Sequence, residues 1–232
     1  MKKTFAALAL AAALIPFASA HAAVISFSND IALKKTNWTN MLSFGMFDSS
    51  LGTLNSIKFD LSGLVQGIGK AESDDEEATT FNLNLGSLLK LSRPDGSALV
   101  VTNPVFNQVF KFSASDGDID FAGTSGGSTG TVTATATAAD FFVSTSASDF
   151  ALFSALGGGQ IGLALKATGA SGATGSGNLS TIFQTWAAGS VKVTYDYTPV
   201  AVEVPEPASL ATILAGLGLM GAVRRRRASN KA

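Results

Sequence analysis

The chain has 232 residues, of which 46% are hydrophobic and 14% are charged, and its formal net charge at pH 7 is −1. This length and apolar content suit one packed domain with short appendages and exclude a wholly disordered protein. The chain has no Cys and a single His. This excludes disulfides, thiolate metal sites and cysteine nucleophiles, and leaves almost no basis for imidazole catalysis.

The N-terminus has the three parts of a secretory signal peptide. Two lysines follow the first methionine, an apolar run covers 5–17, and small residues then offer two cleavage sites, after Ala20 and after Ala22. A positive start, a short apolar stretch and a small-x-small end are typical of such peptides. We therefore predict that 1–22 is a signal peptide, handled by the general secretion machinery and signal peptidase. His21 lies in the cleavage region, where no catalytic role is expected.

Residues 23–199 are predicted to form a β-domain. Apolar and polar residues alternate with a period of two in many short segments, namely 24–27, 57–61, 81–85, 109–112, 131–137, 161–165 and 191–197. Such alternation is typical of antiparallel sheets that have one packed face and one wet face. We predict an all-β fold, an antiparallel β-sandwich, and leave open whether its strands follow jelly-roll order.

The segments between these strands are rich in turn-forming residues. A Pro-Asp-Gly sequence within 92–96 predicts a tight turn, and glycines in 116–127 mark another loop. The Gly- and Ser-rich stretch 169–177 predicts a flexible segment. Residues 149–153 fit either a helical turn capped by Ser148 or a short strand, and the sequence does not decide between them.

Three alternate aspartates, Asp116, Asp118 and Asp120, are the best-spaced candidates for a metal site. Alternate carboxylates in a loop can converge on one hard cation, and Ca²⁺ prefers such oxygen ligands. Alternatively, these carboxylates line the outer face of a strand whose apolar residues point inward. The acidic run 72–77 has two similar interpretations, a cation site or a solvated loop between strands.

Patterns that would indicate an enzyme are weak. The stretch 157–162 matches Gly-x-Gly-x-x-Gly, but strand-like residues follow where a dinucleotide site needs a helix, so no nucleotide cofactor is predicted. Glycoside hydrolysis needs only two carboxylates, so a polysaccharide hydrolase remains an alternative. Two Trp and two Tyr residues could stack on sugar rings, although packing within the sheets is their simpler role. Acidic residues outnumber basic ones by sixteen to nine over 23–204, which argues against a nucleic acid partner.

The C-terminus combines three features in a fixed order. After a short linker, 200–204, comes a Pro-Glu-Pro sequence, then an apolar run over 210–223 and a cluster of arginines. As a helix, that run would be about 21 Å long against a hydrocarbon core of about 30 Å, so it can cross a membrane marginally. The arginines are then expected on the cytoplasmic side, with 228–232 as a cytoplasmic tail.

These features resemble the PEP-CTERM sorting signal of Gram-negative bacteria over 205–227. The resemblance implies that an exosortase recognises Pro205, Glu206 and Pro207 and removes the hydrophobic tail at the inner membrane. The arginines that stop the tail in the membrane are Arg224, Arg225, Arg226 and Arg227. The protein is thus expected to be anchored transiently in the inner membrane and then to reach the cell surface or the extracellular matrix.

The body of the chain resembles the choice-of-anchor E domain of bacterial surface proteins. The resemblance depends on the order of motifs across 23–199, among them Thr-Asn-Trp-Thr at 36–39, Asp-Gly-Asp-Ile-Asp-Phe at 116–121 and Val-Thr-Tyr-Asp-Tyr-Thr-Pro at 193–199. It implies an extracellular β-rich domain without catalytic residues. The expected function is non-enzymatic, a structural or adhesive component of an exopolysaccharide or biofilm matrix. A Ca²⁺-dependent or carbohydrate-binding surface module is the alternative.

Overall fold

The computed structural model describes residues 22–137, 141–200, 215–218 and 220. The predicted signal peptide therefore lies outside the described residues except for Ala22, and the predicted tail helix is described only at 215–218 and 220, which are helical. In the part of the chain that is described, no helix has the length and hydrophobicity needed to cross a membrane.

Strands make up nearly all of the described domain. In chain order they are β1 (Ala23–Lys35), β2 (Trp38–Gly45), β3 (Phe47–Asp48), β4 (Gly52–Ser73), β5 (Thr79–Ser92), β6 (Ala98–Thr102), β7 (Val105–Phe112), β8 (Gly126–Ser128), β9 (Val132–Thr137), β10 (Phe142–Ser144), β11 (Ser154–Ala155), β12 (Gln160–Gly169), β13 (Gly172–Gly175) and β14 (Leu179–Pro199), with one helix, α1 (Ala147–Phe153), between β10 and β11. The predicted all-β class is confirmed.

Two antiparallel sheets form the body of the domain. In the first sheet, β1 pairs with β14 and β14 with β4, while β10, β9 and β8 follow one another along the other side of β4. In the second sheet, β2 pairs with β12, while β12 and β13 lie along one side of β5 and β6 and β7 along the other. Strands β3 and β11 form a small parallel pair.

Some of these segments continue one another along the same neighbouring strand. Counting β6 with β7 as one strand, β8 with β9 and β10 as another, and β12 with β13 as a third, the two sheets contain eight strands. Numbered along the chain, the first sheet has the order 1-8-3-6 and the second has the order 2-7-4-5. This is the strand order of a jelly roll, in which two Greek keys are wrapped into facing sheets. The order brings the start of the domain beside its end, since Ala23 pairs with Tyr197.

The core lies between the two sheets and follows directly from the alternation in the sequence. Ile57, Phe59 and Leu61 of β4 are buried at every second position and pack in one cluster with leucines of the second sheet. Further along β4 the inward positions include glycines. A Cβ on Gly67 would stand 2.6 Å from Leu85 Cδ2 of the opposite sheet, so the glycine allows the two sheets to approach closely at this point.

Two local predictions are corrected by the structure. Gly172–Gly175, within the stretch expected to be flexible, forms β13 because the edge of β5 offers it backbone donors and acceptors at 81–84. Residues 149–153 belong to helix α1, which resolves the choice between helix and strand. The helix is capped by Ser146 rather than Ser148, because the Ser146 hydroxyl accepts a hydrogen bond from the Asp149 amide.

Candidate functional site

The predicted processing residues lie outside the described residues. These are Pro205, Glu206 and Pro207 of the sorting motif and the arginines Arg224, Arg225, Arg226 and Arg227. The domain itself is described up to Val200, where the Val200 amide donates to the Leu51 carbonyl oxygen.

The three spaced aspartates lie in the loop 113–125, which connects β7 to β8, and all three are exposed. The Asp118 amide donates to Asp116 Oδ1 at 3.1 Å, and the Ala122 amide donates to Asp120 Oδ1 at 2.9 Å. Such side-chain acceptors stabilise turns in place of a strand ladder. The alternative that these residues line a strand is therefore wrong, and Ile119, expected to point inward, is 58% exposed.

The three aspartates are not grouped with one another as metal ligands would be in the described structure. Among residues 22–137 and 141–200, no three His, Cys, Asp or Glu side chains are grouped so that they could hold a metal ion. A calcium site near Asp116, Asp118 and Asp120 would need other oxygen ligands as well, since Ca²⁺ takes six to eight. Binding of Ca²⁺ by these residues stays a prediction.

The acidic run 72–77 is divided between two environments. Asp74 to Glu77 lie in the connection between β4 and β5, as a solvated loop would. Glu72 instead belongs to β4, where it pairs with Gly126 of β8 on one side and Ser180 of β14 on the other. It has no exposed surface. Neither of its carboxylate oxygens has a hydrogen-bond partner among the described residues.

The buried carboxylate of Glu72 lies against the backbone of the loop 113–125. A Cβ added to Gly126 would overlap Glu72 Oε2, and it would stand 2.6 Å from the nitrogen and 2.7 Å from the oxygen of Ala122. Glu72 Oε2 and the backbone nitrogen and oxygen of Ala122 thus surround the same point beside Gly126. Only a glycine leaves room for this arrangement, and no pattern in the sequence indicated it.

Backbone hydrogen bonds hold the loop 113–125 over the end of β4. The Ser73 amide donates to the Ser125 oxygen at 2.9 Å, and the Ser115 amide donates to the Asp75 oxygen at 2.7 Å. Phe121 adopts a positive φ of 59°, a conformation that costs energy for a bulky side chain and that the surrounding contacts must compensate. The loop is thus closely attached to the strand that carries Glu72.

A buried ion pair joins two other segments that lie far apart in the sequence. Arg93 Nε and Nη2 donate to the two carboxylate oxygens of Asp149 at 2.7 and 2.8 Å, and the Ser144 hydroxyl donates to Oδ2. The hydrogen bond from Arg93 lowers the pKa of Asp149 below its ordinary value, against the opposing effect of burial. The pair ties the turn after β5 to helix α1. Nothing in the local sequence of either segment indicates it.

The glycine motif and the aromatic residues that the sequence suggested as binding sites lie where they support the fold instead. The glycines at 157–159 have positive φ angles and lead into strand β12 rather than a helix, so the dinucleotide pattern has the wrong context. Trp38 and Tyr195 are buried, and the Tyr195 hydroxyl donates to the Gly45 oxygen at 2.9 Å. These two rings therefore pack in the sandwich and offer no open face for a sugar.

Comparison with known proteins gives one specific match and some distant structural similarity. No curated protein matches the chain. The chain is similar to a structure of infectious bursal disease virus, Gx strain, at 10% identity over 78% of this chain and 37% of that chain, with a TM-score of 0.16. It is similar to the VP2 subviral particle of the same virus at 10% identity over 78% of this chain and 38% of that chain, with a TM-score of 0.22.

The chain thus spans less than two fifths of the length of these viral chains. Structural similarity at this low level gives no information about the function of this chain. The specific match is at the C-terminus, where residues 203–227 match the model of the PEP-CTERM protein-sorting motif. This match supports a protein that is exported and sorted by an exosortase, as the resemblance of 205–227 implied. The chain therefore carries a PEP-CTERM protein-sorting signal at its C-terminus.

Proposed function

We propose that the protein is a non-enzymatic component of the cell surface or extracellular matrix of a Gram-negative bacterium. A signal peptide exports it, the C-terminal helix holds it briefly at the inner membrane, and an exosortase then releases the domain from its tail. The jelly-roll domain has a structural or adhesive role in an exopolysaccharide or biofilm matrix.

The observation that carries the proposal is the match of 203–227 to the PEP-CTERM motif. The residues that matter for processing are Pro205, Glu206 and Pro207, because the resemblance to the sorting signal makes them the recognition residues. The matrix role is supported by the resemblance of 23–199 to the choice-of-anchor E domain, which implies an extracellular β-rich domain. A filled interior between two sheets suits a stable structural module.

Fractionation of the native host, followed by intact mass measurement of each fraction, tests the route. We expect a surface or medium species that lacks the signal peptide and the tail that ends in the arginine cluster. The variant Glu206→Ala is expected to keep its tail and accumulate in the inner membrane. Glu77→Ala removes an exposed carboxylate of the domain, outside the matched segment 203–227, and is expected to be processed normally.

Retention of the whole tail by the wild-type protein in the inner membrane would contradict the proposal. Equal processing of the Glu206→Ala variant would contradict the role of the motif. A mass above that of the trimmed chain would report a group attached at the new C-terminus.

A calcium-dependent surface module is the second candidate function. One observation favours it, namely the buried and unpartnered carboxylate of Glu72 beside the loop that carries the three aspartates.

A further inference from the structure

We infer that Glu72 is a ligand of one hard divalent cation, Ca²⁺, that binds between β4 and the loop 113–125. The other ligands from the chain are the Ala122 carbonyl oxygen and a carboxylate oxygen of Asp120. The cation fastens the loop to the sheet. In the cell, the site is filled with Ca²⁺ only if the protein is exported as proposed above, because Ca²⁺ is abundant outside the cell. Binding of Ca²⁺ by the purified protein does not depend on that export.

The first argument is the electrostatic cost of Glu72 without a partner. A buried ionised carboxylate is strongly destabilising unless it is paired, hydrogen-bonded or bound to a metal. The ion pairs formed by residues 22–137 and 141–200 are Lys58 with Asp60 and Arg93 with Asp149, so no basic side chain there neutralises Glu72. Because its two oxygens also lack hydrogen-bond donors among the described residues, a bound cation would supply the missing partner.

The second argument is that suitable oxygen atoms already surround the position. Glu72 Oε2 and the Ala122 carbonyl oxygen both border the space beside Gly126 that a Cβ would fill. The Ala122 amide donates to Asp120 Oδ1, so the carboxylates of Glu72 and Asp120 both lie beside the backbone of Ala122. Asp120 Oδ2 accepts no hydrogen bond from the described residues and is available for a cation.

The kind of ligand determines the kind of metal. Carboxylate and carbonyl oxygens suit hard cations, whereas zinc and copper sites use imidazole or thiolate ligands. Ca²⁺ accepts irregular coordination and completes its shell with water, while Mg²⁺ demands near-ideal octahedral geometry. A site with two carboxylates and one carbonyl from the chain is expected to be weak. Dissociation constants of about 10⁻⁴ to 10⁻³ M are typical of extracellular calcium modules.

The test is calcium binding by the full chain, purified in detergent and freed of metal with a chelator. Titration calorimetry is expected to show one Ca²⁺ bound per chain. Thermal unfolding in Ca²⁺ at about a hundred times the dissociation constant is expected to show a midpoint raised by about 5–10 °C for a domain of this size. The same excess of Mg²⁺ is expected to raise the midpoint less.

Two matched variants connect the effect to the site. Glu72→Gln keeps the shape and removes the charge. It is expected to weaken Ca²⁺ binding at least tenfold, without lowering the unfolding midpoint in the absence of metal, because the unpaired buried charge is gone. Glu77→Gln makes the same change at an exposed position of the same acidic run and is expected to bind Ca²⁺ as the wild type does.

Three outcomes would overturn the inference. In the first, the wild type shows neither heat nor a midpoint shift with Ca²⁺, as expected if water molecules alone satisfy Glu72. In the second, Glu72→Gln responds to Ca²⁺ like the wild type. In the third, Glu77→Gln loses as much affinity as Glu72→Gln, which would indicate a diffuse effect of negative charge. None of these outcomes bears on exosortase processing, which the fractionation experiment tests separately.

Discussion

The ion pair between Arg93 and Asp149 allows a quantitative test of the packing between the β5–β6 turn and helix α1. Asp149 is 3% exposed and accepts two hydrogen bonds from the guanidinium group. The substitution Asp149→Asn keeps the shape of the side chain but removes its charge, so Arg93 loses its paired carboxylate and keeps only the weaker attraction of Asp95. We expect a clear loss of stability.

The size of the loss follows from the burial of each partner. Removing one partner of a fully buried pair costs about 3–5 kcal/mol, because the other charge stays buried and unpaired. The side chain of Arg93 is 17% exposed, so water can partly solvate it in the variant. We therefore expect a loss of about 2–3 kcal/mol, which lowers the unfolding midpoint by about 5–10 °C in a domain of this length.

The control is the second ion pair of the domain, between Lys58 and Asp60. Both side chains are 37% exposed, and their charged atoms are 2.9 Å apart. Exposed pairs of this kind contribute little, so Asp60→Asn is expected to cost less than about 1 kcal/mol. Unfolding in urea at pH 7, followed by circular dichroism, measures both variants. Equal losses for the two variants would refute the reasoning from burial.

The pH dependence of the effect gives a second check. Arg93 lowers the pKa of Asp149 in the folded state, so this carboxylate stabilises the fold above its unfolded-state pKa of about 3.9. That contribution is lost as the pH falls through the folded-state pKa. The stability difference between wild type and Asp149→Asn is therefore expected to be constant near neutral pH and to shrink below about pH 4. A difference that grows in acid would have the wrong sign.

Two further substitutions, Gly67→Ala and Tyr195→Phe, test the packing of the sandwich, and Gly172→Ala is the control for the first. Gly67→Ala places a methyl group 2.5 Å from the Gln184 backbone oxygen of the neighbouring strand and 2.6 Å from Leu85 Cδ2 of the opposite sheet, and it is expected to cost about 1–3 kcal/mol in urea unfolding. Gly172→Ala, which meets no atom closer than 3.7 Å, is expected to change stability by less than about 0.5 kcal/mol, and a larger loss there would contradict the packing argument. Tyr195→Phe leaves the Gly45 oxygen without its donor and is expected to cost about 1–2 kcal/mol. Burial raises the pKa of Tyr195, so the absorbance of its phenolate is expected to appear only once the domain unfolds in alkali.

The strands themselves were predictable because their signal is local. The alternation at 57–61 and 191–197 lies within β4 and β14, and the turn at 92–96 separates β5 from β6. Period-two alternation reports which side of a strand faces the core, and this needs only a few consecutive residues. The prediction that 172–175 is flexible failed because β13 forms through backbone pairing with β5. That pairing depends on a distant strand, and the small side chains of 172–175 do not indicate it.

The candidate site was only partly predictable. The sequence indicated acidic residues at 72–77 and 116–120 as separate possibilities. It did not indicate that Glu72 is buried or that the two regions meet, because Glu72 and Ala122 come together only beside Gly126, where β8 pairs with β4. Long-range contacts depend on strand order, and the pattern of one strand does not encode which partner lies beside it.

The sequence by itself therefore determined the features that are recognised as linear segments. These are the all-β class, the signal peptide pattern and the sorting motif at 203–227, since each depends on neighbouring residues. The tertiary structure alone decided the 1-8-3-6 and 2-7-4-5 strand order, the pairing of Arg93 with Asp149 and the burial of Glu72. Those properties arise when residues distant in the chain are brought together, and their energies come from burial and counter-charges that exist only in the folded domain.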